Sequence, residues 1–176
     1  KEVTDKDGHV STKSNTLHIA LGNTCSGKCI MCSPWNSSAL RPTHKHINKQ
    51  LNFKELDVRE FQWTKDDALW KKKFYPLVEQ SHWINLMGGE PLITKRQHQI
   101  LQYCVDRNIA KDKVIYYNTN CAQPVPDKTL ELWKHFKHIH LDLSIDDMNE
   151  RVEYIRYPVK WDQFIKFLNW SDNDTN

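Results

Sequence analysis

The sequence predicts an α/β fold built on a parallel sheet. Three observations carry this prediction. Short apolar strands alternate four times with helical segments along the 176 residues. The connections between the strands are long enough for helical crossovers, which parallel pairing requires. Every unusual polar motif falls just after a strand, where folds of this class place their chemistry.

Residues 1–16 read as a polar, flexible lead-in, and residues 17–176 as one domain with enough chain for a hydrophobic core. The run 17–22, Leu-His-Ile-Ala-Leu-Gly, reads as the first strand. Residues 33–63, rich in Ser, Asn, Pro and His, read as irregular. A helix start is predicted at Thr64-Lys65-Asp66-Asp67, with Thr64 as N-cap. Trp70, Phe74 and Leu77 then share a face, and Pro76 ends or kinks the helix. Residues 83–87 form a second strand running into Gly88-Gly89-Glu90-Pro91. Ile100, Leu101, Cys104 and Val105 mark a helix over 94–108. A third strand, 114–117, runs into Asn118-Thr119-Asn120. A helix over 127–137 carries Leu130, Trp133 and Phe136, and a fourth strand covers 139–146. The last helix, 161–170, buries Phe164, Ile165, Phe167 and Leu168. Right-handed crossovers join such units.

The 25 basic and 22 acidic residues leave a net charge of +3, too balanced for a nucleic-acid partner. Lys71-Lys72-Lys73 reads as the solvated side of a helix. No apolar run approaches the roughly 20 residues of a membrane span. Five cysteines, three of them within eight residues, fit thiolate ligands in a reducing cytoplasm better than a disulfide framework.

Those three are Cys25, Cys29 and Cys32, spaced C-x3-C-x2-C. Thiolates suit iron in Fe–S clusters. Three ligands on so short a loop can hold three irons of a [4Fe-4S] cubane and leave the fourth open. Closed zinc sites take four ligands, and His44 and His46 lie near in sequence. A non-enzymatic module holding zinc or a cluster is therefore a second reading.

The cysteine motif, with Met31 just before its last cysteine, resembles that of the radical S-adenosylmethionine superfamily. Gly88-Gly89-Glu90-Pro91 resembles the family's GGEP motif after strand two, and Ser144 and Asp146 fall where the family contacts ribose after strand four. The segments Cys-Ile-Met-Cys-Ser-Pro and Glu-Tyr-Ile-Arg-Tyr-Pro look most like twitch-type members. The resemblance implies a partial (β/α) barrel with a [4Fe-4S] cluster on the three cysteines. It also implies reductive cleavage of S-adenosylmethionine to a 5′-deoxyadenosyl radical that abstracts hydrogen from a substrate. It places Met31 at adenine, Gly88, Gly89, Glu90 and Pro91 at the methionine moiety, and Asn120 and Arg156 among the cofactor contacts. Partners implied are a peptide or small-molecule substrate and a low-potential electron donor. Many relatives carry Thr-Asn-Gly where this chain has Thr119-Asn120-Cys121. Four βα units against the family's six suggest the N-terminal part of a core, without strands five and six. Cys104 and Cys121 read as core residues and the seven tryptophans as packing.

Overall fold

The fold is taken from a computed structural model that describes residues 4–8, 14–54 and 62–173. Parts of the expected lead-in and of the 33–63 stretch lie outside these residues.

Four strands form one sheet in the order β1-β2-β3-β4: β1 is Thr16–Ala20, β2 Trp83–Met87, β3 Val114–Thr119 and β4 His138–Leu143. All three pairings are parallel, with Leu17 opposite Ile84, Ile84 opposite Ile115 and Ile115 opposite Ile139. The predicted parallel α/β sheet is therefore present. Its strand order follows the chain, and crossovers of one hand then put the connecting helices on one face. That face carries Ile19, Ile84, Leu86, Ile115 and Tyr117, all buried. The alternate positions face the other way: Thr16, His18, Asn85, Tyr116, His140 and Asp142. None of these six is buried.

On the covered side lie α4 (Lys95–Asp106) and α5 (Asp127–Trp133). Thr94 caps α4, its hydroxyl accepting from the Gln97 N–H. The fully buried Tyr117 hydroxyl accepts from Gln97 Nε2 (2.7 Å) and Trp133 Nε1 (3.1 Å), which ties β3 to both helices. Before β2, a continuous helical stretch runs through α2 (Asp67–Leu69), one widened π-type turn (Trp70–Phe74) and α3 (Tyr75–Gln80). Asp66, not Thr64, is its N-cap and accepts from the Leu69 N–H at 2.9 Å. The widened turn inserts one residue into the repeat. This rotates Leu77 out to the surface and brings Val78 into the core. Pro76 does not end the stretch but sits where the widened turn passes into α3.

Two helices fall outside the sequence prediction. One is α1 (Arg41–Gln50), which follows a 3₁₀ turn at Ser38–Leu40 and buries no residue, so it has no apolar period to read. The other is α6 (Asn149–Ile155), seven residues long, which buries only Val152. The last helix, α7 (Trp161–Asn173), extends beyond the predicted 170. Strand β1 starts at Thr16, inside the expected lead-in. Strand β4 stops at Leu143, which leaves Ser144, Ile145 and Asp146 in the following loop. Among the described residues, no helix is long and apolar enough to cross a membrane.

Lys113 enters β3 as a buried cation. Its ammonium donates to the carbonyls of Val78 (2.7 Å), Glu79 (3.0 Å) and Ser81 (2.7 Å), closing the C-terminal end of α3. Burial lowers its pKa. Removing it leaves three inward carbonyls at the negative end of a helix. Lys113→Met is expected to lose about 3 kcal/mol in urea unfolding. A loss under about 0.5 kcal/mol would contradict this role for the ammonium.

Candidate functional site

The polar motifs gather at the C-terminal ends of the strands. After β1 the chain runs through Gly22 and Thr24 into the cysteine loop. The Leu21 N–H donates to Met87 O at 2.8 Å, so the loop leaves directly beside the end of β2.

Gly88 and Gly89 both have positive φ, 88° and 59°. A Cβ on Gly88 would stand 2.8 Å from the Gly22 carbonyl oxygen, and one on Gly89 would overlap the Thr24 carbonyl. The missing side chains thus admit the backbone of the cysteine loop, a role distinct from admitting a ligand. The Glu90 N–H then donates to Thr24 O at 2.8 Å. Pro91, itself buried, opens the 3₁₀ turn Pro91–Ile93.

Glu90 is 3% exposed. Its Oε2 accepts from the Asn120 N–H (2.8 Å) and its Oε1 from the Leu92 N–H (3.2 Å). Both carboxylate oxygens are thus taken by backbone of the loops after β2 and β3. Burial raises its pKa, and the N–H donors from Asn120 and Leu92 act against that rise.

The three cysteines share one loop, and two of their sulfurs lie close together. The sulfurs of Cys29 and Cys25 lie 3.4 and 3.5 Å from where a Cβ on Gly27 would stand, so they flank one small gap. Cys32 N–H donates to Cys29 O at 3.0 Å. Burial raises the pKa of both Cys25 and Cys29, and the neighbouring Cys32 raises that of Cys29 further. Asn120 Nδ2 lies 3.6 Å from Cys25 Sγ. Among the described residues, no three His, Cys, Asp or Glu side chains are closed around a point as ligands of one metal ion would be.

Two other segments brace the loop, and neither was recognised as doing so from sequence. Ser37, 1% exposed, donates through its hydroxyl to Gly27 O at 2.5 Å. The Ser38 hydroxyl accepts from the Cys25 N–H at 3.3 Å. On the opposite side, Lys28 N–H donates to Tyr157 O (2.6 Å) and Ile30 N–H to Ile155 O (2.9 Å). The segment Glu-Tyr-Ile-Arg-Tyr-Pro therefore lies along the cysteine loop. Arg156 forms an ion pair with Asp146 at 2.6 Å, so two of the predicted cofactor residues face each other. Ser144 N–H donates to Thr119 O at 2.8 Å. Met31 is 53% exposed on the loop surface.

Cys121 has φ 56° and is 1% exposed. It takes the left-handed backbone that glycine favours, at the position where the resembled motif has Gly. Burial pushes its thiol up to about 12, as it does that of Cys104, and both sit in the core cluster.

No protein-family model matches the chain, and no curated protein matches it. Among solved structures, the crystal structure of Streptococcus suis SuiB bound to S-adenosylmethionine is similar, with a TM-score of 0.55 and 18% identity. The match covers 89% of this chain and 31% of that one, so the chain spans about a third of the neighbour's length. At this identity the likeness establishes a shared fold.

Two predictions follow from the bracing. Gly89→Ala is expected to cost about 3 kcal/mol or more, from overlap with Thr24 added to left-handed strain. An unchanged urea midpoint would contradict the packing. For Glu90, a raised folded-state pKa means that its contribution is fully present below the ordinary carboxyl value of 4.5 and is lost as pH rises through the raised value. The stability of wild type minus that of Glu90→Gln should therefore fall with rising pH across that window. A difference that grows with pH would contradict the burial argument.

Proposed function

We propose that the chain is the N-terminal part of the core of a radical S-adenosylmethionine enzyme, with its sheet as the first four strands of a partial (β/α) barrel. The observation that carries this reading is the gathering of three soft thiols on one braced loop at the C-terminal ends of the strands. Three cysteines on one loop, two with their sulfurs beside Gly27, are the donors that an iron–sulfur cluster takes. Thiols held protonated by burial would release their protons as iron binds. The structural neighbour, solved with S-adenosylmethionine, supports the cofactor.

When bound, a [4Fe-4S] cluster and S-adenosylmethionine would together supply one-electron cleavage to a hydrogen-abstracting radical. The work of this chain is to bind, orient and exclude water. Cys25, Cys29 and Cys32 would hold the cluster. Asn120 would direct a donor at the Cys25 sulfur, and hydrogen bonds to a ligating sulfur tune a cluster's potential. Glu90 fixes the loop positions rather than presenting a free carboxylate. Met31, Ser144 and the Asp146–Arg156 pair are the groups we assign to the nucleoside. A low-potential electron donor and a substrate complete the reaction.

Anaerobic reconstitution with iron and sulfide, followed by reductant and S-adenosylmethionine, tests the reading. Wild type is expected to gain the broad cluster absorbance and to form 5′-deoxyadenosine. Alanine at any one of the three cysteines should abolish both. Tight zinc binding with no cluster, or full cluster retention in all three variants, would overturn it in favour of a structural metal module or none.

A further inference from the structure

Parallel sheets normally bury apolar residues on both faces. Here the face turned away from the helices carries His18, Asn85, Tyr116 and His140 in one register row across the four strands. A cavity of about 380 Å³ opens on this face, lined by Thr16, His18, Trp83, Asn85, Tyr116 and Asp142.

Trp83 and Tyr116 give it a floor of rings, which His140 continues beyond the lining. Trp83 stacks on Tyr116 at 5.5 Å between centroids, and Tyr116 on His140 at 4.4 Å with only 10° between planes. The series crosses from β2 to β4, about 10 Å at the usual strand spacing. It presents a continuous, rigid, largely apolar surface. At its β4 end stands Asp142, which accepts from Asn118 Nδ2 at 3.3 Å. Among the described residues no cation pairs with Asp142, and no Lys or Arg lines the cavity. An unpaired carboxylate at the end of an aromatic floor is complementary to a hydrocarbon stem that ends in positive charge. Asp142 lies two residues before Ser144, so the charged end of such a ligand would rest just beneath the loops that gather the cysteines.

We propose that this cavity binds the cationic side chain of the substrate, an ammonium or guanidinium held at Asp142 with its stem along Trp83 and Tyr116. The identification of the ligand as substrate rests on the radical-enzyme reading; the binding itself does not. No bond is made or broken in this step.

The test is an NMR titration of the full chain with no iron or S-adenosylmethionine added, following the Trp83 indole and Asn85 side-chain amide signals. The probes are the N-acetyl methylamides of lysine, arginine, norleucine and glutamate. Saturating shifts are expected with lysine or arginine, and comparison of these two distinguishes ammonium from guanidinium. Binding should be about tenfold weaker or more for norleucine, for glutamate, and for either cation on Asp142→Asn. Asp142 is exposed, so the variant is expected to fold, which its circular dichroism checks. Equal binding of norleucine, preference for glutamate, no shift with any probe, or unchanged affinity in Asp142→Asn would overturn the proposal. So would a variant that weakens S-adenosylmethionine binding and leaves the lysine and arginine probes unaffected. If cations bind here but no 5′-deoxyadenosine forms after reconstitution, the cavity stands and the radical reading fails. The reverse result removes the cavity proposal alone.

Discussion

The carboxylate of Glu90 accepts the Asn120 N–H at 2.8 Å, while the Glu90 N–H reaches back to Thr24 O at the same distance. One residue after β2 thereby joins the loops that leave β1 and β3. Parallel strands deliver their C-terminal loops side by side but do not hold them in register beyond the ladder. A carboxylate buried to 3% exposure does so because its desolvation is tolerable only while both oxygens keep their N–H donors. The two glycines before it let the cysteine loop lie directly on the β2 turn. The Ser37 hydroxyl and the Ile155–Tyr157 backbone then pin the loop from two further sides. The placement of the loop that carries the three thiols depends on this frame, because no regular secondary structure runs through the loop itself.

The sheet has two chemistries. Its covered face is aliphatic and closes on α4 and α5 through the Tyr117 hydroxyl. Its open face is polar and aromatic. The same strands therefore supply both a rigid support and a surface suited to a ligand, and the loops above them supply the thiols. Rigid strands beneath and braced loops above are the arrangement that a site needs if reacting groups are to be held to within fractions of an ångström.

The β2 strand, its Gly-Gly-Glu-Pro turn and α4 could be read from the sequence closely, because apolar runs and helical apolar spacing mark them. The parallel topology followed from alternation alone. The reading of Leu77 as a core residue failed because the π-type turn at Trp70–Phe74 shifts the helical phase, and no local residue pattern announces such a turn. Helix α1 escaped because it buries nothing. That the three cysteines share one loop was legible in their spacing, but what braces the loop was not. Ser37, Ser38 and the Ile155–Tyr157 carbonyls act through backbone contacts that pair distant residues. Glu90 was read as a ligand contact because sequence shows a carboxylate after a strand and not where its oxygens point. The open face had a signal that went unread: a polar or aromatic residue at alternate positions of all four strands, unusual for a parallel sheet.

The central claim is that the braced thiols hold a cluster with one iron left open to a cofactor. Electron paramagnetic resonance of the reconstituted, reduced protein tests it most directly. Addition of S-adenosylmethionine is expected to change the g-values of the reduced cluster, because an amino and carboxylate group would occupy the open iron. A cluster signal unaltered by saturating S-adenosylmethionine, or no reduced-cluster signal at all, would contradict the account.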